Sequence, residues 1–132
     1  RRVLFRSYAH LAERRSGARI LQRGFVPGLF GRTFDLVMLT KVLEHVPDPA
    51  PFVQDLAKDL GPRGVLFLEV PDVLDLELLP PDHDRFYIPH IYYFSRAALA
   101  ELVQRAGLAV LTARTVTGQR NRSYLQLLAA RA

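Results

Sequence analysis

The residues best equipped for chemistry fall into two groups. The first is Thr40, Lys41, Glu44 and His45, which follow the apolar positions Phe34, Leu36, Val37, Met38 and Leu39 and precede the turn residues Pro47, Asp48 and Pro49. A short apolar run between polar and turn residues suits a strand buried on both faces. Open α/β sheets bind ligands just past the carboxyl ends of such strands. The second group is DHDRFYIPHIYYFS, residues Asp82 to Ser95. Aromatic and histidine side chains gathered after a strand and before a helix suit a ligand pocket. His90 can take up a proton at neutral pH, Arg85 can hold an anionic substituent, and Tyr92 and Tyr93 can form walls. Tyr92, Tyr93 and Phe94 equally suit core aromatics that anchor a helix start. Phe94 is expected in the core and His90 toward the pocket. Glu69 ends a second apolar run, Val65 to Val70. It can bind a substrate hydroxyl on the ligand side of the sheet or cap the following loop.

Other chemistries find little support. Adjacent residues such as Glu44 and His45 point to different faces of a helical turn and need not act together. No pair of His or acidic residues has convincing metal-ligand spacing, and no nucleophile motif occurs, so no metal is expected. Gly24, Gly28 and Gly31 precede a strand instead of following one, which is the wrong context for a nucleotide-binding glycine loop. The chain has no Cys, which excludes disulfides and thiolate metal sites.

The segment FDLVMLTKVLEHVPDP, Phe34 to Pro49, closely resembles the fourth-strand region of class I S-adenosylmethionine-dependent methyltransferases. A His, aromatic and Ser pattern like that before Ser95 recurs in a subgroup acting on small molecules and glycans. The resemblance runs from about Ala18 to the C-terminus. It implies strands three to seven of a seven-stranded sheet, with the first strand and its glycine-rich turn upstream. It implies S-adenosylmethionine as cofactor, with Phe25 and Val26 in the loop that holds the adenine. Thr40, Lys41 and Val42 would lie in the turn beneath the sulfonium. Phe25 and Val26 also suit a plain surface loop. Lys41 departs from the pattern. A cation there is unfavourable unless its head reaches solvent, and it replaces an acid that some relatives use, with the next Glu-His pair, to hold a metal. His45 is implied to lie near the methyl-transfer site, as an orienting group or base; locally, Glu44 can cap and His45 can pack under the loop. The catalytic candidates are His45 and His90, and the substrate candidates Glu69, Arg85, Tyr92 and Tyr93.

These residues need elements to position them. Tyr8 to Arg15 reads as a helix end closed near Gly17, and Ala18 to Gln22 as a short strand. Arg23 to Thr33 is a loop. Asp48 with Pro49 starts a helix whose stripe runs Phe52, Val53, Leu56, Ala57 and Leu60, stopped by Gly61-Pro62. Pro71 to Pro89 is a long irregular segment of the kind that forms functional lids. Ser95 caps a helix carrying Leu99, Leu102, Val103 and Ala106 and ending at Gly107. Leu108 to Val116 and Ser123 to Ala130 form strands close enough to pair antiparallel. The expected fold is α/β and Rossmann-like, a mostly parallel sheet with a C-terminal antiparallel hairpin, its N-terminal part missing.

At 132 residues and 49% hydrophobic content, the chain can bury one core. No apolar run reaches the roughly 20 residues needed to span a bilayer, so a cytoplasmic protein without membrane contact is expected. Residues 1–7, RRVLFRS, equal the translation of a common sequencing-library adapter, and the chain has no initiator Met. They are expected to be a non-native tag, leaving residues 8–132 as a partial methyltransferase domain. The formal charge of +5 then falls to +2, since Arg1, Arg2 and Arg6 leave 15 basic against 13 acidic residues. Scattered arginines do not make a nucleic-acid surface. The expected function is methyl transfer to a small-molecule or sugar-like acceptor. The fragment itself should bind cofactor poorly, be inactive, and self-associate through an exposed sheet edge. The rivals are a non-catalytic binding module with the same fold, a nicotinamide oxidoreductase and a basic nucleic-acid binder.

Overall fold

The computed structural model describes residues 2–21, 24–73, 76, 80, 90–118 and 122–132. Helix α1 (Arg2–Ser16) closes at Gly17, whose left-handed φ of 69° lets its N–H reach the Glu13 carbonyl at 2.9 Å. Strand β1 (Phe34–Thr40) leads through a single 3-10 turn, Leu43–His45, into α2 (Pro49–Lys58). Asp48 and Pro49 start α2 as expected, although the Asp48 side chain makes no capping hydrogen bond. Strand β2 (Leu60–Pro71), α3 (Arg96–Arg105), β3 (Leu108–Thr117) and β4 (Ser123–Arg131) complete the chain. The Ser95 hydroxyl accepts the Ala98 N–H at 3.2 Å, a true N-cap.

The sheet order is β1-β2-β4-β3. β1 and β2 are parallel; β4 returns antiparallel between β2 and β3. This mixed α/β sheet, with its parallel pair and closing hairpin, is the expected fold class. Register places Leu66, Leu68 and Val70 of β2 beside Ala129, Leu127 and Leu125 of β4. All six are fully buried, together with Val53 of α2 and Leu99 and Val103 of α3. Each fully buried Leu or Val side chain contributes about 1.5–3 kcal/mol, so this face dominates the stability. The alternate residues Val65, Phe67, Leu128 and Ala130 are only half-buried.

Three expectations need correction. α2 ends at Lys58, so Leu60, expected in its stripe, opens β2 instead. β1 is not buried on both faces: Val37 and Leu39 are half-buried, but Leu36 and Met38 are 52% and 59% exposed. β1 ends the sheet order, and only its Val37 and Leu39 pack against the core cluster, leaving Leu36 and Met38 outside it. Ala18 to Leu21 is coil, not strand. The Ile20 N–H donates to the Glu13 side chain at 2.7 Å instead of to a neighbouring strand.

Candidate active site

β1 ends in a tight turn. Lys41 has φ 55°, the left-handed region, and is the one non-glycine residue there among those described. Such a conformation costs a side-chain-bearing residue about 1–2 kcal/mol and recurs at functional sites. The Lys41 N–H donates to the Glu69 carbonyl at 2.8 Å, which fixes the turn to the end of β2. Its ammonium bends away over the Tyr124 ring, 4.3 Å from the centroid and 4.0 Å from the Glu69 carboxylate. The head is half-exposed, so the unfavourable cation expected from the sequence is displaced and compensated.

The 3-10 turn that follows buries Glu44 almost completely, at 1% exposure. Its backbone carbonyl accepts the N–H groups of Ile91 and Tyr92 at 2.8 and 3.2 Å. Those two bonds tie the segment carrying His90 to the segment carrying His45, from 45 positions away. The imidazole centroids of His45 and His90 come within 4.8 Å, and His90 also meets the Tyr93 ring at 5.7 Å. His45 Nε2 lies 3.8 Å from Glu44 Oε1. The other carboxylate oxygen of Glu44, Oε2, is buried and has no hydrogen-bond partner among the described residues. Burial raises the Glu44 carboxyl above its ordinary range, against its own backbone N–H and the charges of His45 and Lys41. Burial also lowers the His90 imidazole, and the nearby His45 adds to that.

These groups line a cavity of about 430 Å³ together with Pro71, Asp72, Leu76, Arg122 and Tyr124. It lies past the carboxyl ends of β1 and β2, where open α/β sheets take ligands, and its size suits a small molecule. A desolvated carboxylate beside two imidazoles can orient a substrate and accept a proton. Of the predicted site residues, the fold brings Lys41, His45, His90 and Tyr93 together here. Thr40 and Val42 flank Lys41 in the same turn and are exposed. Tyr92 instead hydrogen-bonds the Pro47 carbonyl through its hydroxyl at 2.9 Å. Glu69 receives the Gln126 side-chain amide at 2.7 Å and is not in the lining. Phe25 packs edge-on against Phe52 in a second groove along β1, and Val26 is 53% exposed. Arg85 lies outside the described residues. Phe94 is in the core as expected.

Sequence reasoning missed Asp72, Arg122 and Tyr124. Asp72 is buried and accepts the Thr115 hydroxyl at 2.6 Å. Tyr124 pairs with Pro71 across β2 and β4. Placing the hairpin beside β2 in register would have located it; pattern alone does not set that register. The convergence of Glu44, His45 and His90, with ligand-capable atoms all within 4.8 Å, also contrasts with the absence of metal-ligand spacing in the sequence.

Residues 5–113 match a family model described as a methyltransferase domain. Over 38 residues the chain is 45% identical to a ubiquinone biosynthesis O-methyltransferase from Parvibaculum lavamentivorans, covering 29% of this chain and 15% of that protein. Over 84 residues it is 33% identical to a tRNA U34 carboxymethyltransferase from Campylobacter jejuni, covering 59% of this chain and 28% of that protein. The chain thus spans less than a third of the length of either curated relative. The fold resembles an S-adenosylmethionine-dependent methyltransferase from Clostridium acetobutylicum, with a TM-score of 0.69 and 11% identity over 96% of this chain and 70% of that one. No described helix is long and apolar enough to cross a membrane. With the family model spanning most of its length, the chain belongs to the methyltransferase domain family.

Proposed function

We propose that this chain is the acceptor-side part of an S-adenosylmethionine-dependent methyltransferase acting on a small molecule. The observation that carries this is the meeting of His45, His90 and Glu44 at the carboxyl end of the parallel pair, inside a cavity of small-molecule size. When bound, the cofactor supplies an electrophilic methyl group for in-line transfer to the acceptor. In that turn the Lys41 ammonium is offset by the Glu69 carboxylate at 4.0 Å and the Tyr124 ring, which eases its place near a cationic sulfonium. Thr40, Lys41 and Val42 would pass beneath that cofactor, and Phe25 and Val26 would lie toward its adenine. Tyr93 offers a flat wall to the acceptor, while the Tyr124 ring carries the Lys41 ammonium in the same cavity. His90 takes the acceptor's proton, His45 orients it, and the bound geometry supplies much of the rate. A sugar-like or hydroxylated metabolite fits this cavity better than a base within a nucleic acid, since the basic residues are dispersed along the chain.

The test is methyl transfer from S-adenosylmethionine, labelled in the methyl group, by the protein expressed from its native locus. Hydroxylated aromatic and sugar acceptors are offered alongside tRNA. His90→Asn is expected to lower kcat by about 10²–10⁴-fold with little change in cofactor affinity. Transfer undiminished by His90→Asn defeats the assignment of the base, and labelling of tRNA alone defeats the small-molecule acceptor. The rival is a non-catalytic binding module of the same fold, which a degenerate glycine-rich turn upstream would favour. It predicts ligand binding in the cavity with no transfer to any acceptor.

A further inference from the structure

We propose that Lys41 and Arg122 make the Tyr124 side of the cavity a subsite for an anionic group of the acceptor, of the carboxylate kind. The inference deepens the small-molecule reading of this cavity, and rests on it for the ligand being the acceptor. Lys41, Arg122, Glu44 and Asp72 all line the cavity. The two acids are withdrawn from it. Glu44 and Asp72 are each 1% exposed, and the Asp72 carboxylate accepts the Thr115 hydroxyl at 2.6 Å. The two cations are not withdrawn: the Lys41 side chain is 54% exposed and Arg122 is half-buried. The charge met by an entering ligand is therefore positive, and a concave wall concentrates that field.

The Lys41 ammonium is held in place from the far side of the sheet. Register aligns Thr40, Glu69, Gln126 and Arg114 across all four strands. Arg114 donates to the Gln126 side-chain carbonyl at 3.2 and 3.3 Å, and the Gln126 amide donates to Glu69 Oε2 at 2.7 Å. Glu69 Oε1, so fixed, draws Lys41 Nζ to 4.0 Å and over the Tyr124 ring. That separation offsets charge but is too long for a hydrogen bond. Among the described residues the ammonium donates to no acceptor, so its N–H groups remain for a ligand. Arg122 comes from the hairpin. The Gly118 N–H donates to its carbonyl at 2.8 Å, and Tyr124, two residues on, pairs with Pro71. Residues two apart on an extended chain share a face, which brings Arg122 and Tyr124 to one wall. An ammonium and a guanidinium beside each other suit a carboxylate through charge-assisted hydrogen bonds. An acceptor anchored by its anion keeps fewer orientations, which favours transfer by positioning.

The test is calorimetric binding to the protein expressed from its native locus, with two matched pairs of probes. These are glucuronate against glucuronamide, and 4-hydroxybenzoate against 4-hydroxybenzamide. The acid of at least one pair is expected to bind at least about tenfold tighter than its amide, by a margin that shrinks as salt rises. Lys41→Gln and Arg122→Gln should each remove most of that margin, and Lys41→Arg should keep it. A merely structural role for either residue would weaken acid and amide alike. Acids that bind no better than their amides, or a failure of all four probes to bind, overturn the subsite. S-adenosylhomocysteine carries a carboxylate of its own and is titrated in parallel. If Lys41→Gln weakens it as much as it weakens the acid, the anion belongs to the cofactor and the acceptor subsite is overturned. A preference for acids in a protein that transfers no methyl group defeats the transferase reading and leaves the anion subsite standing. Methyl transfer to an acidic acceptor that neither glutamine variant diminishes does the reverse.

Discussion

Glu44 and His90 pull the pH dependence of stability in opposite directions. The folded Glu44 carboxyl titrates above its ordinary value of 4.5 because of burial. Its contribution is therefore complete below that value and is lost as pH rises through the folded pKa. His90 titrates below its ordinary 6.5 in the fold, again through burial. Its contribution is complete above 6.5 and is lost as pH falls through the folded pKa. Glu44→Gln should raise stability at neutral and alkaline pH by about 1 kcal/mol, because a neutral amide is cheaper to bury than a carboxylate. The loss of Tm with rising pH should flatten with it, as thermal melts from pH 4 to 9 would reveal. A variant that melts lower than wild type at pH 8 would show that the neighbouring His45 and Lys41 offset the burial of the carboxylate. The sequence made the Glu44-His45 pair legible as chemistry but not its depth of burial. Burial arises from the Ile91 and Tyr92 N–H groups closing over the Glu44 carbonyl, a contact between segments that no local pattern encodes.

Elements were legible where periodicity and capping residues agreed. α3 has its Ser95 cap, its Leu99-Val103 stripe and Gly107, and the structure keeps all three. β1 was legible as a strand, yet its second face was not, because an apolar run does not say how many layers cover it. The start of β2 was the least legible. Gly61-Pro62 signals a stop, and the strand instead begins at Leu60 with an irregular register against β1. Gly64 explains how the chains approach there. A Cβ on Gly64 would lie 2.6 Å from the Phe34 carbonyl oxygen and 2.9 Å from the Gly61 nitrogen, both backbone atoms. Gly64→Ala must therefore shift the β1–β2 pairing and should cost about 1–3 kcal/mol. Gly61→Ala is the control, since its Cβ would meet its nearest neighbours at an ordinary 3.5 Å. Urea denaturation should rank Gly64→Ala well below Gly61→Ala; equal midpoints would mean that the approach relaxes without cost.

At the scale of the molecule, the sheet has one well-covered face and one open side. Among the described residues no strand pairs with the outer edge of β1. Register carries Met38 beside Phe67, and Phe67 beside Leu128, making an apolar row across the half-buried face. Leu36 and Met38 are its most exposed members. An unpaired edge strand with exposed apolar side chains is a template for pairing with another chain. The modest net charge opposes this only weakly. A second copy of this chain is the expected occupant, since it brings the same edge and the same apolar row. Sedimentation velocity should show association that grows with concentration. Met38→Lys should shift the population toward monomer, because a charged side chain on an edge strand penalises pairing there. The substitution should spare stability, given that Met38 is more than half exposed and lies off the buried face. Association should also persist at high salt, which separates apolar edge pairing from charge-driven contact. A wild-type chain that remains monomeric at every concentration would mean that twist or the loop preceding β1 already shields the edge. The exposed row would then be too weakly apolar to recruit a second copy.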